Sequence, residues 1–254
     1  MKRKIIVANW KMNPVSSKEA LILINKINQE TKSIKKAKDL DIIICPPAIF
    51  LSDVSKNIKS NYKLGAQDIF WQNDGSFTGE ISPKMLKEIG VSAVIVGHSE
   101  RRGVGDSDEI VAKKLQTCLA NNLTPIICVG EKERDSEGKY FGLLANQLKT
   151  SLSLIKKSDL KKIVIAYEPI WAIGKKEAMN SRDINETTIF LKKTIVDIYG
   201  KGMSENVSVI YGGSVNFENI DSIMKDGGVN GVIIGRQSLI PSDFSEIVKI
   251  ISKI

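Results

Sequence analysis

Eight short apolar runs, most of them rich in β-branched residues, recur along the chain and decide most of what it can fold into. They are Lys4 to Ala8, Asp41 to Ile44, Tyr62 to Ala66, Ala93 to Val96, Pro125 to Val129, Ile163 to Tyr167, Val207 to Tyr211 and Gly231 to Ile234. Most are continuously apolar rather than alternating, the pattern of strands buried on both faces of a parallel sheet. Between them lie helical patterns, clearest over Lys18 to Lys32, Ser107 to Asn121, Gly142 to Lys156 and Asp183 to Tyr199, with shorter ones after Ser82, Phe217 and Asp243. In the last of the four long ones, Ile184, Thr188, Leu191, Ile195 and Ile198 fall at helical spacing, with charges elsewhere. Ser82-Pro83 reads as an N-cap followed by the first helical residue. Strands alternating with helices imply right-handed crossovers and a parallel sheet. Eight is the number that closes such a sheet. The expected fold is therefore α/β, a single (β/α)8 barrel domain over residues 1–254, with a doubly wound open sheet as the rival. A length of 254 residues suits one barrel, and no Pro/Gly/Ser-rich linker divides the chain.

Charge and cysteine usage narrow the function. The net charge is +8, from 37 Lys and Arg against 29 Asp and Glu. A basic balance suits nucleic acid, an anionic membrane surface or a small anionic substrate. Here the basic residues are scattered and mostly Lys, as in the stretch Lys32 to Lys38, and no stretch interleaves Arg with aromatics. They read as a solvated surface, so no nucleic-acid partner is expected. Cys45, Cys118 and Cys128 are odd in number and widely spaced, which argues against a disulfide framework. With one histidine in the chain, a zinc site of the usual ligand types is not expected either. The basic start at Met1 to Lys4 is followed by too short an apolar run for a signal peptide, and no run approaches the ~18 residues of a membrane span. The expected setting is the reducing cytoplasm, with no membrane partner.

The residues just beyond each strand carry the chemistry. Enzymes on closed parallel barrels place their reactive groups in the loops at the strands' C-terminal ends. Here those ends carry Asn9-Trp10-Lys11, Cys45-Pro46-Pro47, Gln67-Asp68, Gly97-His98-Ser99-Glu100, Gly130-Glu131, Glu168-Pro169, Gly212-Gly213-Ser214 and Gly235-Arg236. Glu168, beside apolar Ile170 and Trp171, could be desolvated into a better base, where an isolated rim glutamate would more commonly form a salt bridge. His98 is the sole histidine; a helical turn starting after it would disfavour the imidazolium and leave a neutral donor to a substrate oxygen. Asn9 and Lys11, two apart, point to one side of an extended chain and could serve a developing oxyanion, although Lys11 alone reads as a surface lysine. The glycine turns after the seventh and eighth strands expose backbone N–H groups that can cradle phosphate. Ile173 to Ala178, flanked by stiff Pro169-Ile170-Trp171, reads as a lid over the site.

These blocks resemble the triosephosphate isomerase family. The resemblance is carried by Asn9-Trp10-Lys11-Met12-Asn13, Gly65-Ala66-Gln67-Asp68, Phe77 to Ser82, Val96 to Arg102, Cys128 to Glu131, Tyr167 to Gly174 and Tyr211 to Val215, in the family's order and over nearly the whole chain. It implies a TIM barrel that interconverts dihydroxyacetone phosphate and D-glyceraldehyde 3-phosphate through an enediolate, in glycolysis and gluconeogenesis, with no metal or cofactor. It implies that Glu168 moves the carbon-bound proton and that neutral His98 shuttles protons between the two oxygens. Lys11 and Asn9 would stabilise charge, with Glu100, Cys128 and Glu131 in support. Phosphate would be held by backbone N–H groups at Gly174, Ser214, Gly235 and Arg236. Gln67 to Glu80 resembles the family's dimer loop, with Thr78 reaching the partner's site, which implies a homodimer.

Three departures stand out. The lid tip reads Lys175-Lys176-Glu177-Ala178-Met179 where the family has Thr-Gly-Lys-Thr-Ala after Ile-Gly. Arg236 replaces a second glycine; its guanidinium either points outward or adds charge near the phosphate. Asp68-Ile69-Phe70-Trp71-Gln72 adds aromatic content and resembles paralogues that act on four-carbon ketose phosphates. An erythrulose phosphate isomerase and a catalytically silent phosphate-binding barrel are the alternatives.

Overall fold

In the computed structural model, which describes residues 3–34, 39–175 and 178–254, every one of the eight runs forms a strand. The strands are β1 Lys4–Asn9, β2 Leu40–Cys45, β3 Lys63–Ala66, β4 Val91–Val96, β5 Thr124–Val129, β6 Val164–Tyr167, β7 Ser208–Tyr211 and β8 Gly231–Ile234. Each pairs in parallel with the next, and β8 returns to β1, so the sheet closes as a barrel and the open-sheet rival is set aside. Lys35, Lys36 and Lys38 of the basic stretch, Met1 and Lys2 of the start, and Lys176 and Glu177 of the expected lid tip lie outside the described residues.

Period-two alternation divides the buried strand residues into two cores. Ile5, Val7, Ile43, Cys45, Ala93, Ile95, Ile126, Cys128, Val164, Ala166, Ile210 and Ile233 fill the barrel's interior. Their neighbours, among them Ile6, Ala8, Ile42, Ile44, Val94, Ile127, Ile165 and Val209, face outward and pack with the surrounding helices. Continuing the interior series by two residues at each upper end reaches Asn9 from Val7, Glu168 from Ala166, Gly130 from Cys128, Gly212 from Ile210 and Gly235 from Ile233. Reactive side chains and glycines thus share the topmost layer, and the missing side chains leave space over the base.

The helices are α1 Ser17–Glu30, α2 Leu51–Asn57, α3 Pro83–Glu88, α4 Ser99–Gly103, α5 Asp108–Ala120, α6 Lys139–Ser151, α7 Ser181–Tyr199, α8 Ile220–Asp226 and α9 Pro241–Lys253. Ser82 caps α3 as expected, its hydroxyl accepting from the Met85 N–H. Three elements differ from the sequence expectation. The helix expected over 142–156 begins at Lys139, because the Asp135 carboxylate accepts the Lys139 and Tyr140 N–H groups, and it ends at Ser151. The last helix starts ahead of Asp243, with Pro241 in its first turn and Asp243 as that turn's acid. A short 3₁₀ turn that buries Phe50 leads into α2, which buries Leu51 and Val54, in a stretch without a helical pattern of its own.

Candidate active site

The barrel mouth opens into a cleft of about 550 Å³ lined by Asn9, Lys11, Glu168, Gly174, Ser214, Gly235 and Arg236. An adjoining cavity of about 500 Å³ shares Asn9 and Lys11 and adds His98 and Glu100. Every residue expected at the site therefore lies at one end of the barrel.

Glu168 is 6% exposed. Its N–H donates to the Val129 carbonyl at 2.9 Å, which continues the β5–β6 ladder one residue past β6 and fixes where the side chain begins. Two glycines make room for it. A Cβ at Gly130 would stand 1.9 Å from the Glu168 carbonyl oxygen, and one at Gly212 would stand 2.9 Å from both its Cγ and Oε1. Oε2 is buried and takes no hydrogen bond among the described residues. A buried carboxylate oxygen left free in this way is an exception to the usual pairing of buried polar atoms and suits a proton acceptor. Beneath it lies the Cys128 thiol, held protonated above its usual range first by burial and then by the carboxylate it faces.

His98 Nε2 stands 3.7 Å from Glu168 Oε2. The helical turn anticipated after His98 is α4, and His98 is its N-cap: Nδ1 accepts the Glu100 N–H at 3.2 Å. A nitrogen that accepts carries no proton, so the ring hydrogen sits on Nε2, the atom that faces the base. Gly97 reaches this turn at φ 69°, where a Cβ would also press on Val111.

Lys11 also has positive φ, 53°, unusual for a residue with a side chain. Three contacts hold it. Its N–H donates to Asn9 Oδ1 at 3.0 Å, its carbonyl accepts from Gln67 Nε2 at 2.8 Å, and its Nζ meets Glu100 Oε1 at 2.7 Å. Since Asn9 Oδ1 accepts from the backbone, its amide nitrogen is the end left for a ligand.

The far end of the cleft is built from backbone. Among the described residues, no carbonyl accepts the N–H of Gly174, Ser214, Gly235 or Arg236. Ser214 adopts φ 48°, and its hydroxyl lies 2.9 Å from the Ala172 carbonyl oxygen and 2.8 Å from that of Lys175. The Arg236 side chain lies at the rim and has no ionic partner among the described residues.

Glu131, a strand-end residue expected only in support, and Tyr211 hold the chain on the two sides of the expected lid. Glu131 is buried, and its Oε1 accepts from Trp171 Nε1, the Tyr167 hydroxyl and Arg134 Nε at 2.9–3.0 Å. On the other side the Met179 N–H donates to the Tyr211 hydroxyl at 3.2 Å. Burial pushes the Tyr211 phenol up to about 12. Tyr167 and Tyr211 are the last residues of β6 and β7, so the strand ends beside the base also hold Met179. No group of three or more His, Cys, Asp or Glu is placed to hold a metal ion among the described residues, and no described helix is long and apolar enough to cross a membrane.

A family model for triosephosphate isomerase matches residues 4–251. The chain is 44% identical over 251 residues to a triosephosphate isomerase of Thermoanaerobacter pseudethanolicus, covering 98% of this chain and 99% of that protein. It is 41% identical, with the same coverage, to one from Caldanaerobacter subterraneus subsp. tengcongensis. It is 40% identical over 253 residues to one from Dictyoglomus turgidum, covering 98% of this chain and all of that protein. With likeness of this degree from end to end, and a closed eight-stranded barrel beneath it, the chain belongs to the triosephosphate isomerase family.

Proposed function

We propose that the chain interconverts dihydroxyacetone phosphate and D-glyceraldehyde 3-phosphate by proton transfer through an enediolate. The observation that carries this reading is Glu168 Oε2, buried and without a hydrogen bond among the described residues, facing His98 Nε2 across 3.7 Å at the head of a cleft whose other end offers N–H groups that no described carbonyl accepts. Glu168 takes the proton from the carbon beside the carbonyl and returns it to the neighbouring carbon. The Nε2–H of His98 donates to the oxygen on which charge develops and passes protons between the two oxygens. Lys11 and the Asn9 amide stabilise that charge, and Glu100 holds Lys11 and donates its N–H to His98. Phosphate sits on the N–H groups of Gly174, Ser214, Gly235 and Arg236. The segment between the Trp171 and Met179 anchors closes over it, keeping the enediolate from water. A proton shift between adjacent carbons calls for a base and an electrophile, so no cofactor takes part. The working unit is the 1–254 barrel as one domain, and three free, buried cysteines suit a reducing cytoplasm.

The expected result is a kcat/KM for D-glyceraldehyde 3-phosphate near the diffusional range of about 10⁸ M⁻¹s⁻¹. Erythrulose phosphates run on the same preparation should give far lower values. A four-carbon substrate that outperforms the triose would move the assignment to the paralogue, and folded protein that turns over neither would leave a silent phosphate-binding barrel.

The same reading makes the chain a homodimer through Gln67–Glu80, with Thr78 reaching the partner's site. Residues 72–80 stand exposed, Met12 and Val104 present apolar side chains to solvent at the second cavity, and Ile49 and Met85 are exposed next in sequence to its lining residues Ala48 and Leu86. Sedimentation equilibrium at micromolar protein should return twice the 28.0 kDa chain mass; a monomer at assay concentrations removes the dimer.

A further inference from the structure

Lys114, midway along α5, is the most deeply buried lysine described, 2% exposed, and the chemistry proposed above does not use it. Its Nζ lies 2.7 Å from Asp68 Oδ1 and 2.9 and 2.7 Å from the two Asp106 oxygens, so all three ammonium hydrogens have acceptors. Asp68 Oδ2 meets Arg101 Nε at 2.9 Å. Two cations and two carboxylates therefore form a charge-balanced cluster under the mouth. Buried ion pairs add little net stability over apolar packing of equal volume, and their best-attested use is to fix register.

The register fixed here is that of two loops. Gln67 and Asp68 are neighbours just beyond β3, and their side chains reach opposite ways. Gln67 Nε2 donates to the Lys11 carbonyl at 2.8 Å and the Cys45 carbonyl at 2.9 Å. Asp68 reaches Arg101, inside the α4 turn that His98 caps. Arg101 is bonded to Glu100, whose carboxylate holds Lys11 Nζ. The path closes on itself: Lys11 carbonyl, Gln67, Asp68, Arg101, Glu100, Lys11 ammonium. We propose that Asp68 and Lys114 are positioning residues that brace this ring, setting Lys11 and His98 at their working separation without touching substrate. The proposal rests on the isomerase reading for its kinetic consequence. Its geometric consequence stands without that reading.

The test is Asp68→Asn, which keeps the side chain's shape and leaves Lys114 its two bonds to Asp106. Small displacements of reacting groups are costly, so kcat for the triose phosphate should fall ~10-fold. Inhibition by inorganic phosphate should weaken by less than the roughly 10-fold expected for removing the Lys11 charge, because the ammonium is displaced rather than lost and the proposed phosphate N–H groups lie on the loops after β6, β7 and β8, outside the ring. Asp68→Glu, which keeps the charge, should recover part of the loss. The chain has one histidine, so the imidazole ¹⁵N resonances belong to His98 alone and report its Nδ1 acceptor bond directly. In Asp68→Asn they should shift away from their wild-type positions. A folded Asp68→Asn with unchanged kcat and unchanged His98 resonances overturns the brace, as does a loss of thermal stability alone. If the wild-type chain fails to turn over triose phosphates, the isomerase reading fails, and the His98 resonances still decide the brace.

Discussion

Glu168→Gln should lower kcat by ~10²–10⁴-fold, the range for losing a general base. That corresponds to about 3–5 kcal/mol of transition-state stabilisation. The substitution keeps the planar head group that lies against Gly212, so the pocket shape is retained. What it removes is a basic oxygen at the Oε2 position, buried and free of hydrogen bonds among the described residues. The Glu168 N–H bond to Val129 belongs to the backbone and survives. Inhibition by inorganic phosphate should therefore be unchanged, since Gly174, Ser214, Gly235 and Arg236 are untouched. The measurement is kcat beside the phosphate inhibition constant on one preparation. Activity within threefold of wild type would take Glu168 out of its role, and a parallel loss of phosphate binding would mean the pocket had been rearranged.

The fold is legible because each strand carries its own punctuation. Apolar runs, most of them continuous and rich in β-branched residues, end at the mouth in a polar or glycine residue, except the second, which ends in Cys45-Pro46-Pro47. Glu168, Asn9 and Lys11 can be placed because they extend the interior alternation of Ala166 and Val7, and a period of two leaves little freedom. Less legible is what depends on the chain meeting itself far away. Lys114 and Asp68 are 46 residues apart, and their contact exists only because α5 packs beside the β3 loop. Glu131 bonding Trp171 and Tyr211 receiving the Met179 N–H likewise join different loops. A signal is present for the first of these: Glu131 is a carboxylate directly after the glycine that follows the fifth strand. α2 escapes notice for a local reason, since only two apolar positions, Leu51 and Val54, mark a helix seven residues long. The positive φ of Lys11 and Ser214 is invisible, because neither residue type advertises that conformation.

Lys11→Met should separate charge from binding in the opposite way to Glu168→Gln. Methionine retains most of the stem's volume and bears the same positive-φ cost as lysine, so the loop's conformation has no new reason to change. The Gln67 bond to the residue 11 carbonyl and the residue 11 N–H bond to Asn9 use the backbone of residue 11 and remain. The abandoned partner, Glu100, has a side chain 60% exposed, so water can take over its carboxylate and stability should barely move. The loss falls on function. Removing one preorganised donor from an oxyanion site costs ~10²–10³-fold in kcat. Lys11 also lines the cleft that leads to Ser214 and Gly235, and the ideal Cβ of Gly235 would stand 3.5 Å from Lys11 Cε. An ammonium on the wall of that cleft would attract a dianion bound there, so phosphate inhibition should weaken as well, by roughly 10-fold for one charge-assisted hydrogen bond. Steady-state kinetics with phosphate as inhibitor, run on both variants, gives the discriminating pattern. Glu168→Gln should lose turnover and keep phosphate, while Lys11→Met should lose some of each. Full phosphate affinity in folded Lys11→Met would confine the lysine to the carbonyl end of the substrate and leave the anion to the backbone N–H groups alone.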